Sequence, residues 1–419
     1  MAIPIAEPFR RGGGLVPWAA VAAWTALWAW LQSNPGGLSW HFFVSGSHLL
    51  FNSAGLNLYA EHPELQIGPL AFLVAAPLTL LGGAAQPAAL ILMTAAGPLC
   101  LAWIAPLVPD SQRSLRVFLA ALLLMPAWTV LSVRFGHLDD VVALVLVVGA
   151  LRAVAANRAA LAGLALGAAV AAKPWAVGFI PLLLVLDAQR LAAAGSALAG
   201  VIAAWAPFMI ANPGTLAALR PPVGVAPSSG LHALGYRGDL IPAWDRVGQF
   251  VLAPVAALAP VLRGRWPGLF LVAVAIRLAM DPKDNPYYIG GAALAAVIFD
   301  LLATRWTIPW ATLLTVVFLW QPWAIDYAHR LETSTGVSLW WFQNPGIIGV
   351  VHLGWSVAMI ALVLVMPSAE AAPAGQTRSP SPSSPASSSS HRASRPSSGP
   401  SAPVARSSRS RPSGPLRRG

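Results

Sequence analysis

From Leu15 onward the chain alternates long apolar runs with short polar breaks, up to Met366. Runs long enough for helices to cross a hydrocarbon core of ~30 Å recur along most of this length. The first, Leu15–Leu31, follows Arg10 and Arg11 and reads as an uncleaved first span, because many further apolar segments come after it. Residues 69–108 read as two helices. Residues 159–187 carry an internal break at Lys173–Pro174, where the proline weakens the helix. The pattern predicts an all-α fold: a polytopic integral membrane bundle of about 11–13 membrane helices over residues 15–366. Residues 1–14 are expected to be a cytoplasmic N-terminus. From Pro367 the chain turns Ser/Pro/Arg-rich and nearly free of large apolar residues. Such a segment cannot bury enough surface to offset ordering, so 367–419 is expected to be a disordered cytoplasmic tail, either simply solvated or drawn to anionic lipid heads.

Basic residues in short loops favour the cytoplasmic side. Arg113/Arg116, Arg152/Arg158, Arg190, Arg263/Arg265 and Arg305 fall in one set of loops. The alternate set is 33–68 (the first extracytoplasmic loop), 134–140, the Lys173–Pro174 break, 212–246, 281–287 and 324–344. Ten of the fifteen acidic residues lie in that second set. This threading needs an odd number of crossings over 69–108, met by one span plus a re-entrant or interfacial helix. It also makes 159–187 two short segments. The alternative threading crosses twice over 69–108 and moves GHLDD (136–140) to the cytoplasmic side. Either way there are about twelve crossings, with both termini inside.

Composition agrees: 57% of residues are hydrophobic and 10% charged, with mean hydropathy +0.65, far too little charge to cover a soluble surface. The net charge of +11 is no nucleic-acid signal, because eight of the 24 arginines sit in the last 53 residues. Cys100 is the only cysteine, which excludes an internal disulfide and argues against a thiol metal site. Richness in Ala, Gly, Pro and Arg with only two lysines points to a high-GC bacterium and to its plasma membrane.

Ionisable groups at membrane depth are site candidates by default. Asp139 and Asp140 open an apolar helix beside His137 and Arg134. One acid suffices for a helix N-cap, so the pair is read as cap plus site. Lys173, inside an apolar run, must find an acid, snorkel or line a wet cavity, where it would suit a phosphate. In the first loop, SWHFFVSGSHLLF sets Trp40, Phe43, Leu50 and Phe51 on one face of an interfacial helix that carries His41. YAEHPELQIGP then gathers Glu61 and Glu64, either of which could accept a proton from an attacking hydroxyl. DPKDNPYY adds Lys283 and Tyr287. No Walker A, GxGxxG, HExxH or GxSxG motif is present.

LNLYAEHPELQIGPLAFL, RFGHLDDVVALVLV and LAGLALGAAVAAKPWAVGFIPLLL, in that order, resemble the GT-C superfamily of polytopic glycosyltransferases. The resemblance covers roughly residues 15–305. It is nearest to the polyprenyl-phosphate-mannose-dependent type of actinobacteria, glycosyltransferase family 87. It implies transfer of a sugar, mannose by preference, from a polyprenyl-phosphate donor to a lipid or glycan acceptor on the extracytoplasmic side. It also implies an acidic catalytic residue in the first loop, where this chain reads GLSWHFF with Ser39 and Trp40. That role passes to Glu61 or Glu64, or to Asp139 or Asp140. His137, Lys173, His41, Arg134, Lys283 and Tyr287 are the implied substrate-binding residues. The resemblance fixes no cofactor, and assistance by a divalent cation stays open because the carboxylates could ligate one. Partners are the donor, the acceptor and membrane lipids, with no nucleic acid. A non-catalytic lipid-binding or envelope-assembly protein on the same fold is the second reading. A transporter is the third, disfavoured because no equivalent broken helices recur in two halves.

Overall fold

The computed structural model describes residues 16–108, 112–219, 223–319 and 336–366. The expected N-terminal segment, the tail 367–419 and most of loop 324–344 lie outside these residues. The described chain is all-α, with sixteen α-helices. The first nine are α1 (Trp18–Gln32), α2 (Trp40–His48), α3 (Leu58–Glu61), α4 (Pro69–Thr79), α5 (Ala85–Ile104), α6 (Arg113–Thr129), α7 (Leu138–Ala155), α8 (Ala159–Ala172) and α9 (Arg190–Ala211). The rest are α10 (Gly230–Ala233), α11 (Asp245–Leu262), α12 (Gly268–Met280), α13 (Tyr288–Ala303), α14 (Trp310–Leu319), α15 (Gly336–Gln343) and α16 (Pro345–Val365). Five stretches are long and apolar enough to cross a membrane: Gly82–Leu107, Arg113–Phe135, Arg190–Ala211, Asp245–Leu262 and Pro345–Val365. Six shorter apolar helices of 10–17 residues pack among them. This is the architecture of a multi-pass membrane protein.

The break in 159–187 has a local cause. Pro174 disfavours the helical conformation for the residue before it, and Lys173 is extended at φ −147°, ψ 110°. Helix α8 therefore ends at Ala172, and Pro174–Val185 continues as a twelve-residue 3₁₀ helix with Pro181 inside it. Gly136, at φ 63°, ends the π-helical turn Val130–Phe135 that follows α6, and α7 starts two residues later.

The loops sort to two ends of the bundle, and hydrogen bonds show how. At one end the backbone N–H groups of Gly37 and Ser39 donate to Val133 O (2.8 Å) and Phe135 O (2.7 Å). There too Gly68 N donates to Ala172 O (3.1 Å) and Ala226 N to Pro282 O (2.8 Å). At the other end Arg116 Nη2 caps the last carbonyls of α13 at Asp300 (2.6 Å) and Thr304 (2.8 Å). Arg265 Nη1 likewise reaches Val363 O at the end of α16 (3.3 Å). The first loop and GHLDD thus share one end. This excludes the threading that set them on opposite sides. Residues 68–86 leave that end at Gly68 and return to it, where Gln86 Nε2 donates to Gly36 O (3.0 Å). Helix α4 is accordingly a partial excursion, and α5 makes the crossing.

Lipid tails are as apolar as leucine, so close packing rather than water exclusion holds such helices together. Helices α8 and α9 run parallel with their backbones in contact. A Cβ on Gly163 would sit 1.9 Å from Ala193 O, and one on Gly167 would sit 2.4 Å from Ala197 O. Gly163→Val is expected to force them apart and cost about 1–3 kcal/mol. The measurement is the thermal midpoint of the detergent-solubilised protein; an unchanged midpoint would refute this contact.

Candidate functional site

The acid-rich end carries a buried charge cluster. Asp139 and Asp140 lie in the first turn of α7, fully and almost fully buried. Across from them Lys173, freed from helical backbone by the break, donates to Asp139 Oδ2 and lies 3.4 Å from Asp140 Oδ2. Trp175 Nε1 donates to Asp140 Oδ1 (2.8 Å), and the backbone N–H of Asp140 to Asp139 Oδ1 (2.9 Å). His137 completes the group. Its Nδ1 is 3.3 Å from Asp139 Oδ1 and 3.5 Å from Asp140 Oδ2, and its ring stacks on Tyr287 at 3.6 Å. Burial lowers the pKa of His137, but the hydrogen bonds to Asp139 and Asp140 raise it by more, leaving it above its ordinary value. The N-cap of α7 is His137 itself. The two carboxylates therefore serve mainly the ion cluster rather than a helix cap.

Beside this cluster Arg277 of α12 lies between two rings, 4.3 Å from the centre of Trp175 and 4.4 Å from that of Tyr288. Such a sandwich fixes a guanidinium while leaving its edge for an anion. Its Nε is 3.9 Å from Asp281 Oδ2. Asp281 Oδ1 is held by Tyr288 Oη (3.3 Å) and the backbone N–H of Lys283 (2.9 Å). Asp284 is 3.2 Å from His352 of α16. Burial, reinforced by the Asp281 carboxylate, pushes Asp284 up to about 8.

All this opens on a cavity of about 750 Å³. Lys173, Arg246, Arg277 and Lys283 contribute cations to its wall, and Glu64 an exposed carboxylate. Phe42, Trp205 and Phe250 supply apolar surface. Four cations face two carboxylates, Glu64 and Asp284, along this wall, a balance that suits an anionic amphiphile.

Six residues singled out in the sequence meet here: His137, Asp139, Asp140, Lys173, Lys283 and Tyr287, with Glu64 on the same wall. Glu61 is exposed and lies off the wall, and His41 is exposed against Phe42, ring centres 3.9 Å apart. Arg134 is buried and donates to Asn34 O (2.8 Å), fastening the start of the first loop. Sequence reasoning did not single out Trp175 or Arg246. Their only signal is a tryptophan two residues past the lysine break and an arginine beside a helix-starting acid.

His137, Asp139 and Asp140 offer three ligand atoms within 4.8 Å of one another, enough to invite a divalent cation. The Lys173 ammonium already lies against both carboxylates, and a second cation would have to displace it. The group fits an internal ion cluster, not a metal site.

Comparison with protein-family models, with curated proteins and with solved structures finds no match to this chain. Fold and site together define a class: an all-helical, multi-pass membrane protein with a cationic, aromatic-lined cavity at the acid-rich end of its bundle.

Proposed function

We propose that the protein is a GT-C-like membrane glycosyltransferase of the bacterial plasma membrane. It moves a sugar, mannose by preference, from a polyprenyl-phosphate donor to a lipid or glycan acceptor on the extracytoplasmic side. The observation that carries the reading is one cavity whose wall holds four cations, an apolar aromatic surface and one exposed carboxylate. The cations suit the donor phosphate and stabilise it as it leaves. The aromatic wall suits the first prenyl units. Glu64 accepts the proton of the attacking hydroxyl as the bond to the sugar's anomeric carbon forms. The ion cluster beneath holds Lys173 in place.

A second reading, a non-catalytic lipid-binding protein, is favoured by the start of α2. No acid stands in its first turn, and the position before it is Ser39. One purified-protein assay separates the two: incubation with radiolabelled polyprenyl-phosphate-mannose and mixed bacterial lipids. Label moving to an acceptor supports the transferase. Donor binding without movement of label supports the second reading.

The sidedness is checked in whole cells. Cys100 is fully buried, so single cysteines can be introduced at two exposed positions, Ser53 at the site end and Ala156 at the opposite end. A membrane-impermeant thiol reagent is expected to label Ser53→Cys in intact cells and Ala156→Cys only after permeabilisation. The reverse pattern would place the cavity in the cytoplasm and end the polyprenyl-donor reading.

A further inference from the structure

Ser39, His137 and Asp139 form a chain of contacts that the sugar-transfer reading does not use. Ser39 Oγ is 3.0 Å from His137 Nε2, while His137 Nδ1 is 3.3 Å from Asp139 Oδ1. A hydroxyl on one imidazole nitrogen and a buried carboxylate on the other is the arrangement that activates a serine. The imidazole takes the hydroxyl proton, and the carboxylate orients the ring and stabilises its positive charge. Ser39 and His137 are 98 residues apart, so helix geometry does not force the contact.

Each member is fixed independently. Backbone bonds from Gly37, Leu38 and Ser39 to Val133, Arg134 and Phe135 set the register of the serine against the histidine. Stacking on Tyr287 fixes the ring plane. Lys173 and the Asp140 N–H hold Asp139, which is fully buried. Ser39 immediately precedes the nine-residue helix α2. It is 9% exposed, and its neighbours His137 and Phe42, the latter one turn along α2, both line the cavity.

We propose that Ser39 is a nucleophile, activated by His137 and oriented through Asp139, toward the carbonyl carbon of carboxylic esters of anionic amphiphiles. Oγ bonds to that carbon as its proton passes to His137 Nε2. The ester C–O bond then breaks, and the alcohol leaves with the proton from Nε2. Water attacks the acyl-serine, gives its proton to Nε2, and the acid departs as Ser39 regains its own. The anionic part of the substrate is taken by Arg277 and Lys283, and its apolar part by the aromatic wall.

The test uses the full chain in detergent with an alkyl fluorophosphonate, from which an activated serine displaces fluoride to leave a stable adduct. The expected result is one adduct, mapped by peptide mass to Ser39 and absent from Ser39→Ala. His137→Gln should slow labelling by ~10²–10⁴-fold. Hydrolysis of p-nitrophenyl butyrate should fall in the same variants. Absence of an adduct on Ser39 in the parent protein, under conditions that label a control serine hydrolase, overturns the proposal whether or not any variant folds. Labelling of a folded His137→Gln protein at the parent rate overturns it as well. No sugar donor is present, so a chain that transfers no sugar still gives a clear answer.

Discussion

Lys173→Met is expected to lower folding stability by about 3–5 kcal/mol, the cost of leaving a buried charge without its partner. Asp139 is fully buried and Asp140 nearly so, and Lys173 is the cation that both carboxylates face most closely. Methionine keeps the length and apolar stem of lysine, so little of the loss is packing. The loss should be partly recovered in Lys173→Met/Asp139→Asn, which removes one of the stranded charges while keeping its shape. The measurement is the unfolding midpoint in detergent of the parent, both single variants and the double variant. If Lys173→Met melts with the parent, the ammonium is not the partner of these acids. If the double variant is no better than the lysine variant alone, the two residues are not coupled.

Glu64→Gln is expected to reduce sugar transfer by ~10²–10⁴-fold with donor binding preserved, because the amide keeps the shape of the side chain but cannot accept a proton. Glu64 sits on an exposed loop, two-thirds accessible, with His62 Nδ1 at 3.2 Å as its side-chain partner among the described residues, so the fold should not register the change. Equal loss in turnover and in donor affinity would mean that Glu64 binds substrate rather than moves a proton. A fully active variant would remove it from the site and return the role to Asp139 or Asp140.

The apolar background made part of the site legible in the sequence. In a chain that is 57% hydrophobic, GHLDD and Lys173 are conspicuous, and the physics of burying charge already asked for a partner. Of the two threadings the arginine pattern left open, the bundle follows the one with an odd number of crossings over 69–108, with α4 short of a full crossing. Illegible were the pairings that depend on two distant segments meeting. Nothing in the sequence sets Arg277 between Trp175 and Tyr288, since the three residues come from different segments. Ser39 registered only as a serine where the resemblance implied an acid. Its contact with His137 exists because loop 37–39 pairs with 133–135, and no periodicity announces such a pairing. Tryptophan was the weakest guide of all. With 18 copies in the chain, a membrane anchor and a carboxylate donor look alike until their neighbours are known.

The 3₁₀ winding of Pro174–Val185 sets a length as well as a direction. Twelve residues at ~2.0 Å each cover roughly 24 Å, against about 18 Å for the same residues wound as an α-helix. The fourteen residues of α8 cover roughly 21 Å. Drawn out in this way, the second leg reaches roughly 3 Å beyond the first, where α-winding would leave it short by about the same amount. Rewinding it would pull the lysine at its top some 6 Å along the bundle axis, off its carboxylates. The winding of this one segment therefore sets how far along the bundle Lys173 sits from the carboxylates it faces.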